Sequence, residues 1–128
     1  MRYLLDTHSL LWFLLDDPQL SPTARLSIED PHAEVEVSPA SYWEIAIKIG
    51  KKKYALSESY EVFMEREIGE NEFRILPIEI RHTALVTTLP EHHKDPFDRL
   101  LIAQALSEQI PIVSNDAAFD LYGVTRIW

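Results

Sequence analysis

The chain has 128 residues, 46% of them hydrophobic and 26% charged, with a formal net charge of −9 at pH 7. These values predict one globular domain, residues 1–128. The absence of cysteine excludes disulfides, thiolate zinc sites and cysteine nucleophiles, and it fits a cytoplasmic protein. The acidity argues against a generally basic nucleic-acid-binding surface. It does not exclude a nuclease, because metal-binding acids count in that total. The longest early apolar run, Leu10–Leu15, is too short to span a membrane, so we expect no membrane association.

The predicted elements alternate between strands and helices, which indicates an α/β fold. The apolar run Arg2–Asp6 predicts a strand buried on both faces of a parallel sheet. The alternation in Glu34–Ser38 predicts a strand with one polar face, near the sheet edge. Further strands are predicted at Phe73–Ile78, Ile110–Ser114 and, at an edge, Val124–Trp128.

Three helices are predicted to start at a Ser-Pro or Asp-Pro pair, in which the first residue is the N-cap and the proline takes the first helical position. These helices run from Pro22 to about Glu29, over Ala40–Ile49 after Ser38-Pro39, and from Pro96 to about Gln109. Helical patterns predict three more, at Ser9–Leu15, Glu58–Glu70 and Glu79–Leu89.

Two acids follow buried strands. Asp6 ends the first strand, and Asp116 follows the fourth, beside Ser114 and Asn115. In open parallel sheets, ligands bind just beyond the carboxyl ends of the strands, so both acids are placed for chemistry. The alternative for Asp6 is to cap the helix that follows it.

Two further acids interrupt apolar helices. Glu44 is the only acid of a helix that is apolar on nearly every side, and glutamate is seldom buried unless paired or metal-bound. The alternative is a solvent-facing Glu44 paired with Lys48 one turn later. Asp98 lies in the first turn of its helix, over the face that Leu101 and Ile102 share. It is either a functional acid or a simple complement to the helix dipole.

Bringing these four carboxylates together would raise their pKa values and oppose folding unless a cation is bound. Ligands that are all oxygen favour Mg²⁺ or Mn²⁺ over zinc. Such a site suits metal-assisted hydrolysis of a phosphodiester bond. The histidines are weaker candidates. His82 is predicted to be packed or at the surface, and His92 and His93 to lie near a substrate phosphate or in solvent, because their spacing does not match a metal site.

The motifs that carry a family resemblance are Leu4–His8, Trp43–Ile45, His93–Ala105 and Ser114–Asp116. With these residues the chain resembles the PIN-domain ribonucleases, and within them the small VapC-like toxins of type II toxin–antitoxin pairs. The resemblance implies a three-layer α/β/α sandwich on a mainly parallel sheet. It also implies Mg²⁺- or Mn²⁺-dependent endonucleolytic RNA cleavage that leaves a 5′-phosphate and a 3′-hydroxyl. The implied partners are a second copy of the chain and a cognate antitoxin whose tail blocks the acidic pocket.

Matched by motif, the family's four acids fall on Asp6, Glu44, Asp98 and Asp116, and its hydroxyl before the last acid falls on Ser114. Asp6 and Asp98 are expected to hold the principal metal ion, with Glu44 and Asp116 completing the shell. Candidates for contact with RNA phosphates are Lys51, Lys52, Lys53, Lys94 and Arg99. The alternative for the lysine cluster is a solvated helix end.

Other functions fit the residues less well. An aspartate-based phosphotransferase with Asp6 as nucleophile typically has a second acid two residues later, where this chain has His8. A non-catalytic PIN-like interaction module would be expected to have lost one of the four acids. A housekeeping RNA-processing nuclease of the same family stays open, because the motifs do not distinguish it from a toxin.

Overall fold

The computed structural model describes the whole chain, Met1–Trp128, as five strands, six α-helices and one 3₁₀ helix. The strands are β1 (Arg2–Leu5), β2 (Glu34–Val37), β3 (Arg74–Ile75), β4 (Ile112–Val113) and β5 (Arg126–Ile127). The α-helices are α1 (Thr7–Leu14), α2 (Pro22–Glu29), α3 (Pro39–Gly50), α4 (Tyr60–Glu70), α5 (Ile80–Val86) and α6 (Pro96–Glu108). The 3₁₀ helix is Ala117–Tyr122. No helix is long and apolar enough to cross a membrane.

All five strands are parallel, in the order β3-β2-β1-β4-β5. The central strand β1 pairs with β2 on one side and β4 on the other, with Leu4 opposite Glu36 and Ile112. The chain progresses from β1 toward β3 on one side and from β4 toward β5 on the other. The crevice between β1 and β4 is therefore the point where the strand order reverses, a usual place for a ligand site.

Neighbouring residues of β1 enter two separate cores, because side chains alternate across a strand. Leu5 and Val113 pack into a core with residues of α1, α2 and α4. Leu4 and Ile112 pack on the other face against α6 and the 3₁₀-helix residue Phe119, with α5 packed on α6. Two helical layers enclosing a parallel sheet confirm the predicted α/β/α sandwich.

The helix starts agree with the prediction. Ser21, Ser38 and Asp95 are N-caps whose side chains accept backbone N–H groups, and each is followed by a proline in the first helical turn. Helix α1 begins two residues earlier than predicted. Its N-cap is Asp6, whose Oδ1 accepts the Ser9 N–H at 2.8 Å.

Strand β2 is nearer the sheet edge than β1, but it is not the edge strand, because β3 pairs with its outer side. Its Glu36 is buried rather than solvated. Arg2 on the neighbouring strand explains this, because its Nε lies 2.6 Å from Glu36 Oε2, so the carboxylate is paired. Arg2 also reaches Glu108 at the end of α6, at 3.3 Å. The fully buried His82 accepts the Glu79 N–H at Nδ1 and donates from Nε2 to Glu108 Oε2, both at 3.0 Å, which confirms a packed histidine.

Candidate active site

The carboxyl ends of β1 and β4 bring Asp6 and Asp116 to the same crevice. The Asp6 N–H donates to the Val113 carbonyl at 3.1 Å, which continues the pairing of the two strands past their ends. Asp6 is buried, and this burial raises the pKa of its carboxyl, while hydrogen bonds with Ser114 and Ser9 oppose the rise. The buried Ser114 also accepts the Asp116 N–H at 3.0 Å. Ser114 therefore contacts both strand-end acids, which supports the role predicted for it.

Glu44 lies on α3, which packs against α1 and α6. Glu44 is 8% exposed, and Lys48 Nζ lies 3.4 Å from its Oε2. The acid is therefore buried and also paired with Lys48, so both sequence interpretations describe part of the arrangement. The other oxygen, Oε1, is buried without a hydrogen-bond partner. Leaving such an oxygen unsatisfied is costly, so Oε1 is free to bind a cation or a water.

Asp98 lies in the first turn of α6, next to its N-cap Asp95. Its pKa is raised to about 7, first by burial, then by the charge of Asp95 and then by that of Asp6. Glu44 contributes in the same direction, and His93 opposes the rise. The structure therefore brings Asp98 within electrostatic reach of two of the other predicted acids.

His93 bridges Asp98 and the last acid, in a position that the sequence did not indicate. Its Nε2 lies 3.2 Å from Asp98 Oδ2 and 2.8 Å from Asp116 Oδ2. Its Nδ1 accepts the Asp95 N–H at 3.1 Å. Because Nδ1 is an acceptor, the proton of the neutral ring lies on Nε2, which donates to Asp116 Oδ2 and lies at ion-pair distance from Asp98 Oδ2. His93 is half-buried among the acids rather than in solvent, and a position near a substrate phosphate stays a prediction for it.

A network at the other end of the loop fixes the position of His93. The Tyr122 hydroxyl accepts the His93 N–H and donates to the Pro90 carbonyl, both at 2.8 Å. The Arg99 guanidinium donates to the carbonyls of Pro90, Val86 and Leu89 at 2.8–3.3 Å. The position of His93, two residues before a helix N-cap, is a sequence signal that points to a structural role. This local signal does not show that the fold places Tyr122 beside His93.

The five cationic residues predicted to contact RNA phosphates differ in exposure and in hydrogen bonding. Lys51, Lys52, Lys53 and Lys94 are exposed. Lys51 and Lys53, with Lys48, line a cleft of about 380 Å³ whose wall also includes Glu44. Arg99 differs from the lysines, because its guanidinium donates hydrogen bonds to the backbone carbonyls at the end of α5 and in the loop that follows. Contact of these five residues with phosphate stays a prediction.

The donor set at this edge is suited to a hard cation. It consists of carboxylate oxygens, one of which is the unpartnered Oε1 of Glu44. Ligand atoms of His93, Asp98 and Asp116 lie within 4.8 Å of one another. With its proton on Nε2, His93 donates to Asp116, and the same nitrogen would become a ligand atom on losing that proton. The two larger cavities, about 660 and 690 Å³, are lined by none of the four acids, so cavity size does not mark this site.

Comparison with known proteins places this geometry in a family. A family model described as "PIN domain" matches residues 3–124. A search of curated protein sequences gives no match. Similar solved structures include VapBC2 from Rickettsia felis bound to a promoter DNA fragment, with a TM-score of 0.74, 16% identity, and coverage of 98% of this chain and 97% of that chain. Another is VapBC-1 from nontypeable Haemophilus influenzae, with a TM-score of 0.66, 18% identity, and coverage of 98% and 96%.

A third similar structure is FitAcB from Neisseria gonorrhoeae, with a TM-score of 0.65, 20% identity, and coverage of 97% of this chain and 95% of that chain. At these identities the structural likeness shows the shared fold. The family model spans nearly the whole sequence and includes all four acids. The chain belongs to the PIN domain family.

Proposed function

We propose that the chain is a Mg²⁺- or Mn²⁺-dependent endoribonuclease and the toxin of a type II toxin–antitoxin pair. The observation that carries the nuclease proposal is the buried, unpartnered Oε1 of Glu44 at an edge where Asp98 has a pKa raised to about 7. A divalent cation would balance these carboxylates, and it would supply the Lewis-acid chemistry that phosphodiester hydrolysis needs.

The four acids and His93 would then have separate roles in holding the ion. Asp6 and Asp98 would hold the principal ion, and Glu44 and Asp116 would complete the shell. His93 would orient Asp116 by donating its Nε2 proton to Oδ2 at 2.8 Å, and the same nitrogen lies 3.2 Å from Asp98 Oδ2. The four acids would form the ribonuclease centre, and cleavage would leave a 5′-phosphate and a 3′-hydroxyl.

The toxin assignment is supported by similar structures that were solved as VapBC and FitAB complexes, two of them bound to DNA. By analogy, the partners would be an antitoxin whose tail covers the acidic pocket and a second copy of the chain. The cytoplasm would be the site of action. The identities of 15–21% do not themselves separate a toxin from a housekeeping PIN nuclease.

Cleavage of RNA by the purified chain tests the nuclease proposal. We expect cleavage with Mg²⁺ or Mn²⁺, none with EDTA, and a loss of about 10²–10³-fold in Asp116→Asn, the scale of removing one preorganised charge-stabilising group. Asp30→Asn, in an exposed loop, is the control and should cleave normally. Activity that persists in EDTA would contradict the metal mechanism. Unaltered cleavage by Asp116→Asn would contradict the site.

Expression in a bacterial host tests the biological role separately. A toxin arrests growth when expressed alone and is neutralised by the product of its neighbouring gene. An active nuclease that is harmless without that product would instead be a housekeeping enzyme.

A further inference from the structure

An exposed aromatic pair lies beside the acids, and no contact described so far explains it. Trp43 is 62% exposed, although it belongs to a regular helix, α3. Its ring packs against Phe97 of α6, with centroids 5.3 Å apart and planes at 74°. The edge contact holds the indole in place and leaves most of its surface to solvent. Tryptophan usually buries its large apolar surface, so this exposure indicates a ligand.

The two aromatic residues are tied to the active site by the chain itself. Trp43 directly precedes Glu44, and Phe97 directly precedes Asp98. Helices α3 and α6 pack against each other, so the pair spans the seam between the two helices that carry these acids. Phe97 and Glu44 line the same cleft, so a molecule stacked on Trp43 and Phe97 would lie at the rim of the cleft that includes Glu44.

The same place has a cationic wall. Phe97 also lines the cleft of about 380 Å³ whose wall carries Lys48, Lys51 and Lys53 together with the acids Glu44 and Asp95. Lys48 is paired with Glu44, whereas Lys51 and Lys53 are exposed, so these two lysines are the local cations in a protein with a net charge of −9. An aromatic surface joined to a cationic groove is the combination with which proteins bind single-stranded nucleic acid, since bases stack on the rings and phosphates pair with the lysines.

We propose that Trp43 and Phe97 form a stacking platform for one unpaired base of the RNA substrate, with Lys51 and Lys53 contacting the adjoining phosphates. This inference rests on the proposed ribonuclease function and narrows its substrate to RNA that is single-stranded at the cleavage site. A base within a duplex is stacked on its neighbours and has no free face for Trp43. An acidic segment of a partner protein is the competing occupant, but it would use the lysines and not an exposed indole.

Tryptophan fluorescence gives a direct measure of stacking. The chain has three tryptophans. Trp12 is buried, and Trp128 packs against it at 6.0 Å. In metal-free protein with EDTA, a short 2′-O-methyl single-stranded oligonucleotide resists cleavage and serves as the probe. We expect it to quench the emission of the wild-type protein, and we expect Trp43→Phe to remove most of the quenching.

Affinity for the same probe gives the second measure. We expect Trp43→Ala to weaken single-strand binding by about 5- to 150-fold, the range for removing one base-stacking ring. Trp43→Phe should lose less, because it keeps a ring. The matched control is Leu26→Ala, which removes an apolar side chain that is 71% exposed on α2 and should leave affinity unchanged. The matching duplex should bind all of these proteins weakly.

Three results would overturn the platform. The first is wild-type affinity in Trp43→Ala, and the second is equal preference of the wild-type protein for single strand and duplex. The third is quenching by an acidic peptide but not by the oligonucleotide, which would make the pair a protein-docking site. Cleavage separates the two proposals. EDTA-sensitive cleavage with an unchanged KM in Trp43→Ala would refute the platform alone, whereas a wild-type protein that cuts no RNA would refute the nuclease function.

Discussion

The carboxylate of Asp98 makes the metal-free protein less stable at neutral pH, and Asp98→Asn should remove that effect. The pKa of Asp98 is raised by burial, and then by Asp95, from its ordinary 3.8 to about 7. Between these values the folded protein binds a proton that the unfolded chain has released. Stability therefore falls as pH rises from about 4 to about 7, and the loss is complete above pH 7.

The size of the effect follows from the shift. About three pH units at about 1.4 kcal/mol each give an upper bound of about 4 kcal/mol. The Asp98 side chain keeps 20% of its surface exposed, and screening by water reduces the expected range to about 2–4 kcal/mol. Asparagine has nearly the same shape, so little packing is lost.

Urea unfolding in EDTA, followed by circular dichroism, measures this difference. At about pH 8 we expect Asp98→Asn to be more stable than the wild-type protein by about 2–4 kcal/mol, and at about pH 4 we expect the two to be nearly equal. Asp30→Asn is the control, since its exposed side chain caps only a loop N–H. Added Mg²⁺ should stabilise the wild-type protein more than Asp98→Asn, because a ligand is gone. Equal stabilities in EDTA at about pH 8 would refute the reasoning.

The hydrogen bonds around His93 lead to two further predictions. His93→Ala should weaken Mn²⁺ binding by about 10–100-fold in calorimetry, because the donor beside Asp98 and Asp116 is lost. His93→Gln should recover part of the lost affinity. Equal affinities in the wild-type protein and His93→Ala would contradict this role. Tyr122→Phe should lower the free energy of unfolding by about 1–2 kcal/mol in urea titrations, because two hydrogen bonds of the loop are lost, and an unchanged midpoint would show that the loop is held otherwise.

Much of the fold was predictable because its signals are local. Ser21, Ser38 and Asp95 each precede a proline, and each caps a helix as expected. The position of the strand-end acids followed from topology, since parallel strands on one sheet end at one edge. Once β1 and β4 are neighbours, Asp6 and Asp116 share a crevice, and this pairing is observed.

Local patterns were least informative where a distant residue changes the surroundings of a side chain. Glu36 looks like a solvent-facing acid in an alternating strand, but Arg2, 34 residues away, pairs with it and permits burial. His93 looks like a loop histidine, but Tyr122, 29 residues away, fixes its backbone. Arg99 looks like a free cation, and its carbonyl partners come from a helix end that hydrophobic periodicity does not position. In all three cases the missing information is a tertiary contact.

In each strand-end acid, Asp6 and Asp116, one carboxylate oxygen caps the helix that follows. Oδ1 of Asp6 accepts the Ser9 N–H, and Oδ1 of Asp116 accepts the Ala118 N–H at 3.0 Å, so each side chain is fixed as soon as its helix forms. Ion binding at the remaining oxygens therefore requires little further ordering of the chain. Acids anchored in this way cannot spread to accommodate a larger ion as readily as acids on a flexible loop. At the proposed metal site, the capping bonds would thereby favour small cations such as Mg²⁺ over Ca²⁺.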